Sequence, residues 1–314
     1  MKINTIIPGD ALTVLKTLPD NSADCCISSP PYWGLRDYGV PGQIGHEPTP
    51  EIYMQSLLKI FREVWRTLKP SGTCFINLGD TYAGNGAGTT KNADISEYIR
   101  RSKQSYVLPN GVAKSAIFRG TSMHKSTLMI PYRFAWKMVL DGWTLRNIII
   151  WHKPNQMPSS AKDRFTVDFE PVFFFVKCGK GYYFNQLLEP YTKPINRWGG
   201  NKFNALPGKS AWSNATGQKM YRNRDVRPNP KGRNMRTVWS INTKPFKGAH
   251  FATYPEKLIE RLLLAGCSED GIVLDPFMGA GTTAVVAKKL NRNFIGIELN
   301  QEYCEMAEQR LKTN

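Results

Sequence analysis

Apolar and polar positions alternate along the chain with two different periods, which predict its helices and strands. In residues 51–68 the apolar side chains Leu57, Phe61 and Val64 recur at helical spacing on one face. The same reasoning predicts helices at residues 51–68, 253–265, 282–290 and 301–311. Short runs rich in apolar and β-branched residues predict strands at residues 3–7, 23–28, 73–78, 145–151, 171–177, 272–274 and 293–298.

Local signals at the helix ends support these assignments. Thr49 is a good capping residue for the first helix, and the segment Lys69-Pro70-Ser71-Gly72 is expected to end it. The segment Thr253-Tyr254-Pro255-Glu256 has the spacing of a capping box at the start of the second helix.

The order of these elements predicts the fold class and the domains. Strands that alternate with helices indicate an α/β protein with a mostly parallel sheet covered on both faces. Two stretches, residues 81–125 and 190–247, do not fit the alternation and are too long for plain loops, so we interpret them as functional insertions. We therefore predict one domain at residues 1–189 and 248–314, interrupted by 81–125, and a separate region at residues 190–247.

Composition excludes several classes of protein. With 41% apolar and 21% charged residues, wholesale disorder is not expected. There is no apolar run of about 18–20 residues that would span a bilayer, and Pro8-Gly9-Asp10 ends the first apolar run too early for a signal peptide. The six cysteines form no Cys-x-x-Cys pair, and there are only four histidines. We therefore predict a reduced, cytosolic protein with no metal site.

Positive charge is concentrated in one segment. The chain carries a net charge of +17, and residues 191–247 contribute +12 of it, with thirteen Lys and Arg against a single acid, Asp225. Aromatic residues, among them Trp198 and Trp212, are interleaved with these bases, a pattern that favours nucleic-acid binding over a merely solvated loop. Arginine can grip a phosphate or a guanine with two hydrogen bonds, so the predicted DNA contacts are Arg197, Arg222, Arg224, Arg227, Arg233 and Arg236.

A glycine-rich turn near the C-terminus predicts a cofactor site. The segment Asp275-Pro276-Phe277-Met278-Gly279-Ala280-Gly281-Thr282-Thr283 lies between a strand and a helix, where glycines let a ligand approach the backbone. About 20 residues on, Glu298 ends the next strand, which suits a carboxylate that accepts hydrogen bonds from two ribose hydroxyls. A plain structural turn is the alternative. Because the phosphate-binding Gly-Lys-Ser/Thr and the third glycine of a dinucleotide site are both absent, a nucleoside-containing cofactor fits better.

A second motif, Ser28-Ser29-Pro30-Pro31-Tyr32-Trp33, follows the predicted strand 23–28. Ligands of open α/β sheets bind at the carboxyl ends of strands, so this position favours a functional site, although a rigid turn is the alternative. Asp10 and Asp80 also follow predicted strands and are expected to face the same crevice, unless they serve as helix or turn caps.

Together the two motifs resemble the β class of exocyclic-amino DNA methyltransferases. The order matches that class, with Ser29-Pro30-Pro31-Tyr32 first, the basic region in the middle and the glycine-rich turn last. The segment 250–258 resembles the one before the cofactor loop, and the segment 149–155 resembles the one beside the target base. The resemblance implies S-adenosylmethionine as cofactor, held by Asp10, His250, Thr253, Asp275, Pro276, Phe277, Gly279, Gly281, Thr282 and Glu298. It adds Trp151 and Lys153 to the DNA contacts. It also implies that residues 1–189 and 248–314 form the catalytic and cofactor-binding domain and that residues 190–247 are the target-recognition region.

The resemblance also implies an arrangement of the sheet and a mechanism. It predicts a Rossmann-like seven-stranded sheet in which the first strand lies beyond the strand that ends at Glu298, and the strand that ends at Asp275 lies beside the strand before Ser29. The catalytic residues would be Ser29, Pro30, Pro31 and Tyr32. Ser29 Oγ and the Pro30 carbonyl would accept hydrogen bonds from the target amino group, and Tyr32 would stack on a base flipped from the duplex.

The first residue of the catalytic motif bears on the choice of target base. Family members with Ser at the first motif position usually methylate cytosine N4 and those with Asp usually methylate adenine N6, so N4 is predicted and N6 is the alternative. A carbon-5 enzyme would need a Pro-Cys pair, which the chain lacks. Other classes fit less well. A dehydrogenase lacks its glycine pattern here, RNA or protein amino methyltransferases usually carry Asn at the first position, and a non-catalytic DNA-binding protein needs no cofactor-type turns.

The expected setting is a prokaryotic or phage-encoded enzyme in the cytoplasm, acting on double-stranded DNA at the nucleoid. The resemblance leaves open whether a cognate restriction endonuclease acts on the same site and whether the protein is a monomer or a homodimer. It also assigns no role to the insertion 81–125.

Overall fold

The structure, a computed structural model, describes residues 1–35, 38–83, 121–192, 229, 231–243 and 254–313. The strands in this part of the chain are β1 (Thr5–Pro8), β2 (Ala23–Ser28), β3 (Leu68–Asn77), β4 (Thr144–His152), β5 (Phe169–Val176), β6 (Leu188–Glu189), β7 (Arg233–Asn234), β8 (Val238–Ser240), β9 (Ile272–Asp275) and β10 (Asn293–Glu298). The helices are α1 (Ala11–Leu15), α2 (Pro50–Thr67), α3 (Ile130–Leu140), α4 (Glu256–Gly266), α5 (Thr282–Lys289) and α6 (Gln301–Thr313).

Eight of these strands form one sheet in the order β1-β10-β9-β2-β3-β5-β4-β8. The neighbours from β1 to β3 are all parallel, while β5 runs antiparallel to both β3 and β4. The prediction of a mostly parallel sheet is therefore confirmed. The predicted neighbours are also found, since β1 pairs with β10 and β9 pairs with β2. The seven predicted strands are extended by the short edge strand β8, which pairs with β4.

Helices cover both faces of the sheet, as the alternation predicted. Side chains alternate along β3, so Cys74 and Ile76 join the core cluster that α1, α2 and α3 cover. The intervening residue Thr73 faces the other side, where its hydroxyl donates to the Gly266 carbonyl at the end of α4 over 2.8 Å. The sheet is therefore the central layer of a three-layer α/β structure.

Three local predictions need correction. The segment Lys69-Pro70-Ser71-Gly72 is part of β3, because α2 ends at Thr67 and the strand begins at the next residue. The predicted capping box is wrong, because α4 begins at Glu256 with Pro255 as its N-cap and no side-chain cap; Thr253 itself lies outside the described residues. Sequence analysis also missed α1 and α3, although Pro131 in the first turn of α3 is a typical start signal.

The chain divides into two compact units. One consists of Met1–Asn185 with Thr237–Asn314 and holds the large sheet, and the other is Gln186–Arg236. In the described part of the smaller unit, β6 and β7 pair antiparallel. Most of the predicted recognition region 190–247 and of the insertion 81–125 lies outside the described residues.

Gly281, the N-cap of α5, gives a testable prediction about stability. Its φ is +77°, and a Cβ there would lie 2.6 Å from the Ala307 Cβ of α6. We expect Gly281→Ala to lower the free energy of unfolding by about 1–3 kcal/mol, because it combines backbone strain with a clash between two helices. Urea denaturation measures the change. Gly181→Ala is the matched control, since Gly181 has a φ of +76° but nothing within 4 Å of its Cβ position. Equal losses in the two variants would contradict the clash.

Candidate active site

A cleft of about 580 Å³ lies in the larger unit, where the parallel strands end. The sequence order of the strands reverses between β9 and β2, and ligands of open α/β sheets bind at such a reversal. The cleft is lined by residues at or just after the carboxyl ends of β1, β10, β9, β2, β3 and β4. Glu170, near the start of the antiparallel strand β5, also lines it. Segments more than 240 residues apart in sequence therefore meet in one cavity.

Eleven of the predicted site residues line this cleft. They are Asp10, Ser29, Pro30, Pro31, Tyr32, Trp151, Lys153, Pro276, Phe277, Gly279 and Glu298. Three predicted cofactor residues, Asp275, Gly281 and Thr282, do not line it. The predicted cofactor residues His250 and Thr253 and the predicted DNA contacts Arg197, Arg222, Arg224 and Arg227 lie outside the described residues.

Asp275 lies behind the glycine-rich turn and is fully buried. Its carboxylate accepts hydrogen bonds from the hydroxyls of Ser28 over 2.8 Å, Thr283 over 2.6 Å and Tyr254 over 3.1 Å, and from the Phe277 amide over 3.1 Å. Burial raises the pKa of Asp275, and these donors oppose the shift. The contacts support a role in holding the turn and β2 together, rather than the direct cofactor contact that the sequence predicted.

Gly281 and Thr282 also lie behind the cleft. Gly281 begins α5 in close contact with α6, and the buried hydroxyl of Thr282 accepts a hydrogen bond from Arg310. Both residues support the turn from behind, so their predicted cofactor contact has no geometric support.

Glu298 lies at the end of β10, with part of its side chain open to the cleft. One carboxylate oxygen accepts from the Gly279 amide and the other from the Asn300 amide, each over 2.8 Å. A carboxylate oxygen offers about two lone-pair sites, so each oxygen can accept one more hydrogen bond. Burial raises the pKa of Glu298, and the two amides lower it. The group is thus held in place with acceptor capacity left over.

The two other acids that follow strands act as helix caps. Asp10 accepts from the amide and the hydroxyl of Thr13 at the start of α1, and its side chain is also at the cleft. Asp80 accepts from the amides of Met129 and Ile130 at the start of α3 and does not line the cleft. The expectation that Asp80 faces the crevice is therefore wrong, since its carboxylate is used to join β3 to α3.

The segment Ser29-Pro30-Pro31-Tyr32 forms one wall of the cleft. Its backbone is anchored by the Tyr53 hydroxyl, which donates to the Pro31 carbonyl over 2.7 Å. The Tyr32 hydroxyl lies 2.9 Å from Glu170 Oε2 and 3.1 Å from Asn77 Oδ1, while Ser29 Oγ donates to it over 3.4 Å. Burial and the nearby Glu170 charge raise the pKa of Tyr32 well above its usual value, so the phenol stays protonated.

Sequence analysis missed Glu170 and Asn77 as members of the site. Glu170 Oε1 accepts a hydrogen bond from Lys153 Nζ, which also lies 4.4 Å from the centre of the Trp151 ring. Trp151 is buried in the sheet with its indole N–H donating to the Ile241 carbonyl over 2.8 Å. Trp151 and Lys153 are therefore fixed inside the cleft, next to Tyr32. The only sequence signal was that Glu170 directly precedes the predicted strand 171–177, which by itself does not indicate a site.

The comparison with protein families shows to which family the chain belongs. Residues 23–309 match the model of the N6/N4 methyltransferase family, described as DNA methylase. The chain belongs to this family of DNA methylases. This family assignment, together with a solved structural neighbour in complex with S-adenosylmethionine, supports S-adenosylmethionine as the cofactor.

Individual relatives agree with the family match. The methylase is 38% identical to the Type II methyltransferase M.SmaI of Serratia marcescens, over 98% of this chain and 90% of the relative. It is also 38% identical to the Type II methyltransferase M.Cfr9I of Citrobacter freundii, over 98% of this chain and 87% of the relative. Relatives of this kind belong to restriction–modification systems.

Solved structures show the same fold. PvuII DNA methyltransferase (cytosine-N4-specific) is 18% identical with a TM-score of 0.61, over 98% of this chain and 85% of that chain. TTHA0409 of Thermus thermophilus, solved in complex with S-adenosylmethionine, is 23% identical with a TM-score of 0.52, over 98% of this chain and 94% of that chain.

The cleft of the methylase fits a nucleoside-containing cofactor. Its volume lies within the range of about 300–1,000 Å³ that is typical of small-molecule sites. Glu298 retains acceptor capacity for two hydroxyls, and Phe277, Leu299 and Tyr303 supply apolar walls beside it. This acceptor and these apolar walls therefore suit S-adenosylmethionine, which carries a ribose, a flat base and a charged sulfur.

The described arginines of the smaller unit are both paired with one acid. Arg233 Nε and Arg236 Nε donate to Glu189 Oε1 over 2.8 and 2.6 Å. Glu189 thereby offsets part of their charge. Among the residues the structure describes, no helix is long and apolar enough to cross a membrane, and no cluster of His, Cys, Asp and Glu is arranged to hold a metal ion.

Proposed function

We propose that this DNA methylase transfers a methyl group from S-adenosylmethionine to the exocyclic N4 amino group of a cytosine flipped out of duplex DNA. One observation carries the proposal: the cleft is lined both by Ser29-Pro30-Pro31-Tyr32 and by the turn that contains Phe277 and Gly279. A serine at the first position of the catalytic motif supports cytosine N4, as does the printed specificity of the PvuII enzyme with the same fold. Adenine N6 is the alternative within the family.

The cofactor site that we propose is the part of the cleft around β10 and β1. Glu298 would accept hydrogen bonds from the ribose hydroxyls, Asp10 would lie near the adenine, and Phe277 and Gly279 would border the methionine portion. When bound, S-adenosylmethionine supplies a methyl group on a positively charged sulfur. Phe277 can favour that charge by a cation–π contact, which helps to bind and orient the cofactor rather than to raise the rate.

Ser29 and Pro30 would prepare the target nitrogen. The lone pair of an aryl amine is delocalised into the ring, which makes the amine a poor nucleophile. Ser29 Oγ donates its hydrogen bond to the Tyr32 hydroxyl, so its lone pairs can accept a hydrogen bond from the amino group, as can the Pro30 carbonyl. This pattern favours a pyramidal nitrogen with its lone pair directed at the methyl group. The prolines fix the backbone that holds both acceptors.

Transfer to duplex DNA is the test of this proposal. The purified protein is incubated with S-adenosylmethionine that carries a tritiated methyl group, in separate arms with duplex DNA, single-stranded DNA and RNA. We expect label in duplex DNA, and an initial rate of labelling at least about 30-fold lower with Ser29→Ala. Label confined to RNA, or none with the wild-type protein, would overturn the proposal.

The basic segment gives a prediction about DNA binding. We propose that residues 191–247 supply most of the phosphate contacts and read the target sequence. Replacing a phosphate-contacting arginine, such as Arg222, Arg224 or Arg227, with alanine is expected to flatten the dependence of log affinity on log salt by about one unit. Replacing a base-reading arginine should instead relax the specificity at one position, at a cost of about 1–3 kcal/mol. Titrations of duplex DNA at several salt concentrations, with methylation of a site library, measure both.

Arg236→Ala is the internal comparison for these variants. Because Glu189 already offsets the charge of Arg236, we expect a smaller change in the salt dependence than for Arg222→Ala. If every arginine variant matches the wild-type protein in both assays, recognition lies elsewhere, and the insertion 81–125, with seven basic residues against two acids, is the next segment to test.

We further propose that the enzyme acts in the cytoplasm, alongside an endonuclease that cuts the same site.

A further inference from the structure

Glu170 lines the cleft and lies on β5, the strand that is antiparallel to both of its neighbours. Because β5 is antiparallel to β3 and β4, its first residues lie where those two strands end. Glu170 pairs in register with Trp151, and Asn77 pairs with Val172, two residues further along β5. The carboxylate is thereby placed between the end of β3 and the end of β4, at the wall formed by Tyr32.

One carboxylate holds two side chains of this wall. Glu170 Oε2 accepts from the Tyr32 hydroxyl over 2.9 Å, and Oε1 accepts from Lys153 Nζ. The side chains of Lys153 and Glu170 are only 13% and 19% exposed, so the ion pair is largely removed from water. A cation at this depth needs its partner, since removal of one member of such a pair leaves an unpaired charge.

The opposite side of the tyrosine is fixed as well. Asn77 Nδ2 donates to the Pro171 carbonyl over 3.2 Å, which turns Asn77 Oδ1 towards the Tyr32 hydroxyl, 3.1 Å away. Gly79 lies against the edge of the ring, where an added Cβ would come within 2.4 Å of Cε2 and 2.7 Å of Cδ2. The ring is thus held at its hydroxyl by two acceptors and at its edge by a residue without a side chain.

We propose that Glu170 is a positioning residue of the target-base site, which fixes the Tyr32 ring and the Lys153 ammonium with one oxygen each while Gly79 leaves space for the ring. This inference rests on the proposed function, because it assigns the held ring to stacking on the flipped base. Ordering the two side chains before DNA arrives removes an entropic cost from the methylation complex. An error of about 1 Å at a reacting centre can cost about a hundredfold in rate.

A double-mutant cycle tests the link between the two residues. Tyr32→Phe keeps the ring and removes the hydroxyl. Glu170→Gln keeps the shape, but it puts an NH2 group, which cannot accept a hydrogen bond, in place of one of the two oxygens that accept from the phenol and the ammonium. We expect each single variant to lower the single-turnover rate of methyl transfer by about 10- to 100-fold, and the double variant to be no slower than the slower single one within about twofold. Calorimetric affinity for S-adenosylmethionine should stay at the wild-type value in all three variants. The thermal midpoint should stay at the wild-type value in Tyr32→Phe and fall in Glu170→Gln, which leaves the Lys153 ammonium without its partner, so rates are compared at a temperature at which every variant is folded.

Gly79→Ala tests the space beside the ring, with Gly179→Ala as its matched control. Nothing lies within 4 Å of a Cβ at Gly179, so that variant is expected to keep the wild-type rate, while Gly79→Ala slows transfer by about tenfold or more. A wild-type rate for Glu170→Gln, or rate losses that multiply in the double variant, would overturn the positioning role. Ser29→Ala separates the two claims: if it is inactive while Glu170→Gln is wild-type, only this inference fails, and if Ser29→Ala is fully active, the proposed function fails.

Discussion

Ser29→Ala is expected to lower the single-turnover rate of methyl transfer by roughly 30- to 900-fold, which corresponds to about 2–4 kcal/mol of transition-state stabilisation. The variant removes the hydroxyl oxygen that would accept a hydrogen bond from the target amino group, and it leaves the proline backbone in place. Since Ser29 lies on the catalytic wall and not on the cofactor turn, affinity for S-adenosylmethionine should stay within a few-fold of the wild-type value. Rapid-quench kinetics with excess enzyme and isothermal calorimetry measure the two quantities.

Two comparisons make this result specific. Ser71→Ala removes an exposed hydroxyl near the start of β3, at the far end of that strand from the cleft, and should have the wild-type rate. Tyr32→Ala should also slow transfer with little effect on cofactor affinity, because it removes the stacking surface. Near-wild-type single-turnover rates for both Ser29→Ala and Tyr32→Ala would refute the catalytic assignment.

Glu298→Ala is expected to weaken the binding of S-adenosylmethionine by about 10- to 100-fold, because hydrogen bonds to a charged group contribute about 1.5–3 kcal/mol each. The change removes the proposed partner of the ribose hydroxyls and leaves the amides of Gly279 and Asn300 without their acceptor. Calorimetry at neutral pH gives the affinity. Glu302→Ala, an exposed acid on the nearby helix α6, is the control and should bind as the wild-type protein does.

The same carboxylate predicts a pH dependence. Burial raises the pKa of Glu298, so on acidification it gains its proton at a higher pH than an ordinary glutamate. The protonated form accepts hydrogen bonds less well, so cofactor affinity should fall as the pH drops through this raised pKa. Glu298→Gln cannot titrate and should lack this fall. An unchanged affinity in Glu298→Ala would show that Glu298 is an ordinary acid at a strand end.

The part of the site that sequence could predict lies at the ends of parallel strands. Ser29 and Glu298 each follow a clear apolar run, and parallel strands bring their carboxyl ends to one edge of the sheet. Glu170 could not be found in this way, because it begins an antiparallel strand, and only the pairing of β5 with β3 and β4 brings it to the cleft. The local sequence does not indicate which strands pair with one another.

Acids were the hardest residues to assign from sequence. Asp10, Asp80 and Asp275 all lie at or after the ends of strands and were predicted at the crevice, with a helix or turn cap as the alternative for Asp10 and Asp80. In the structure, Asp80 accepts hydrogen bonds at the start of α3, and Asp275 belongs to a buried hydrogen-bond network behind the turn. Asp10 caps α1 and also lines the cleft. A carboxylate at a strand end can accept hydrogen bonds either from a ligand or from the free backbone amides at the start of a helix. Only the positions of these donors in the folded structure show which role the carboxylate has.

The identity of the methylated base is the most direct test of the account. DNA from a host that expresses the wild-type protein is digested to nucleosides and analysed by mass spectrometry, beside DNA from a host that expresses Ser29→Ala. The account predicts N4-methylcytosine in the first sample and less of it in the second. N6-methyladenine in place of N4-methylcytosine would contradict the assigned target, and the absence of any new methylated base would contradict the proposed activity itself.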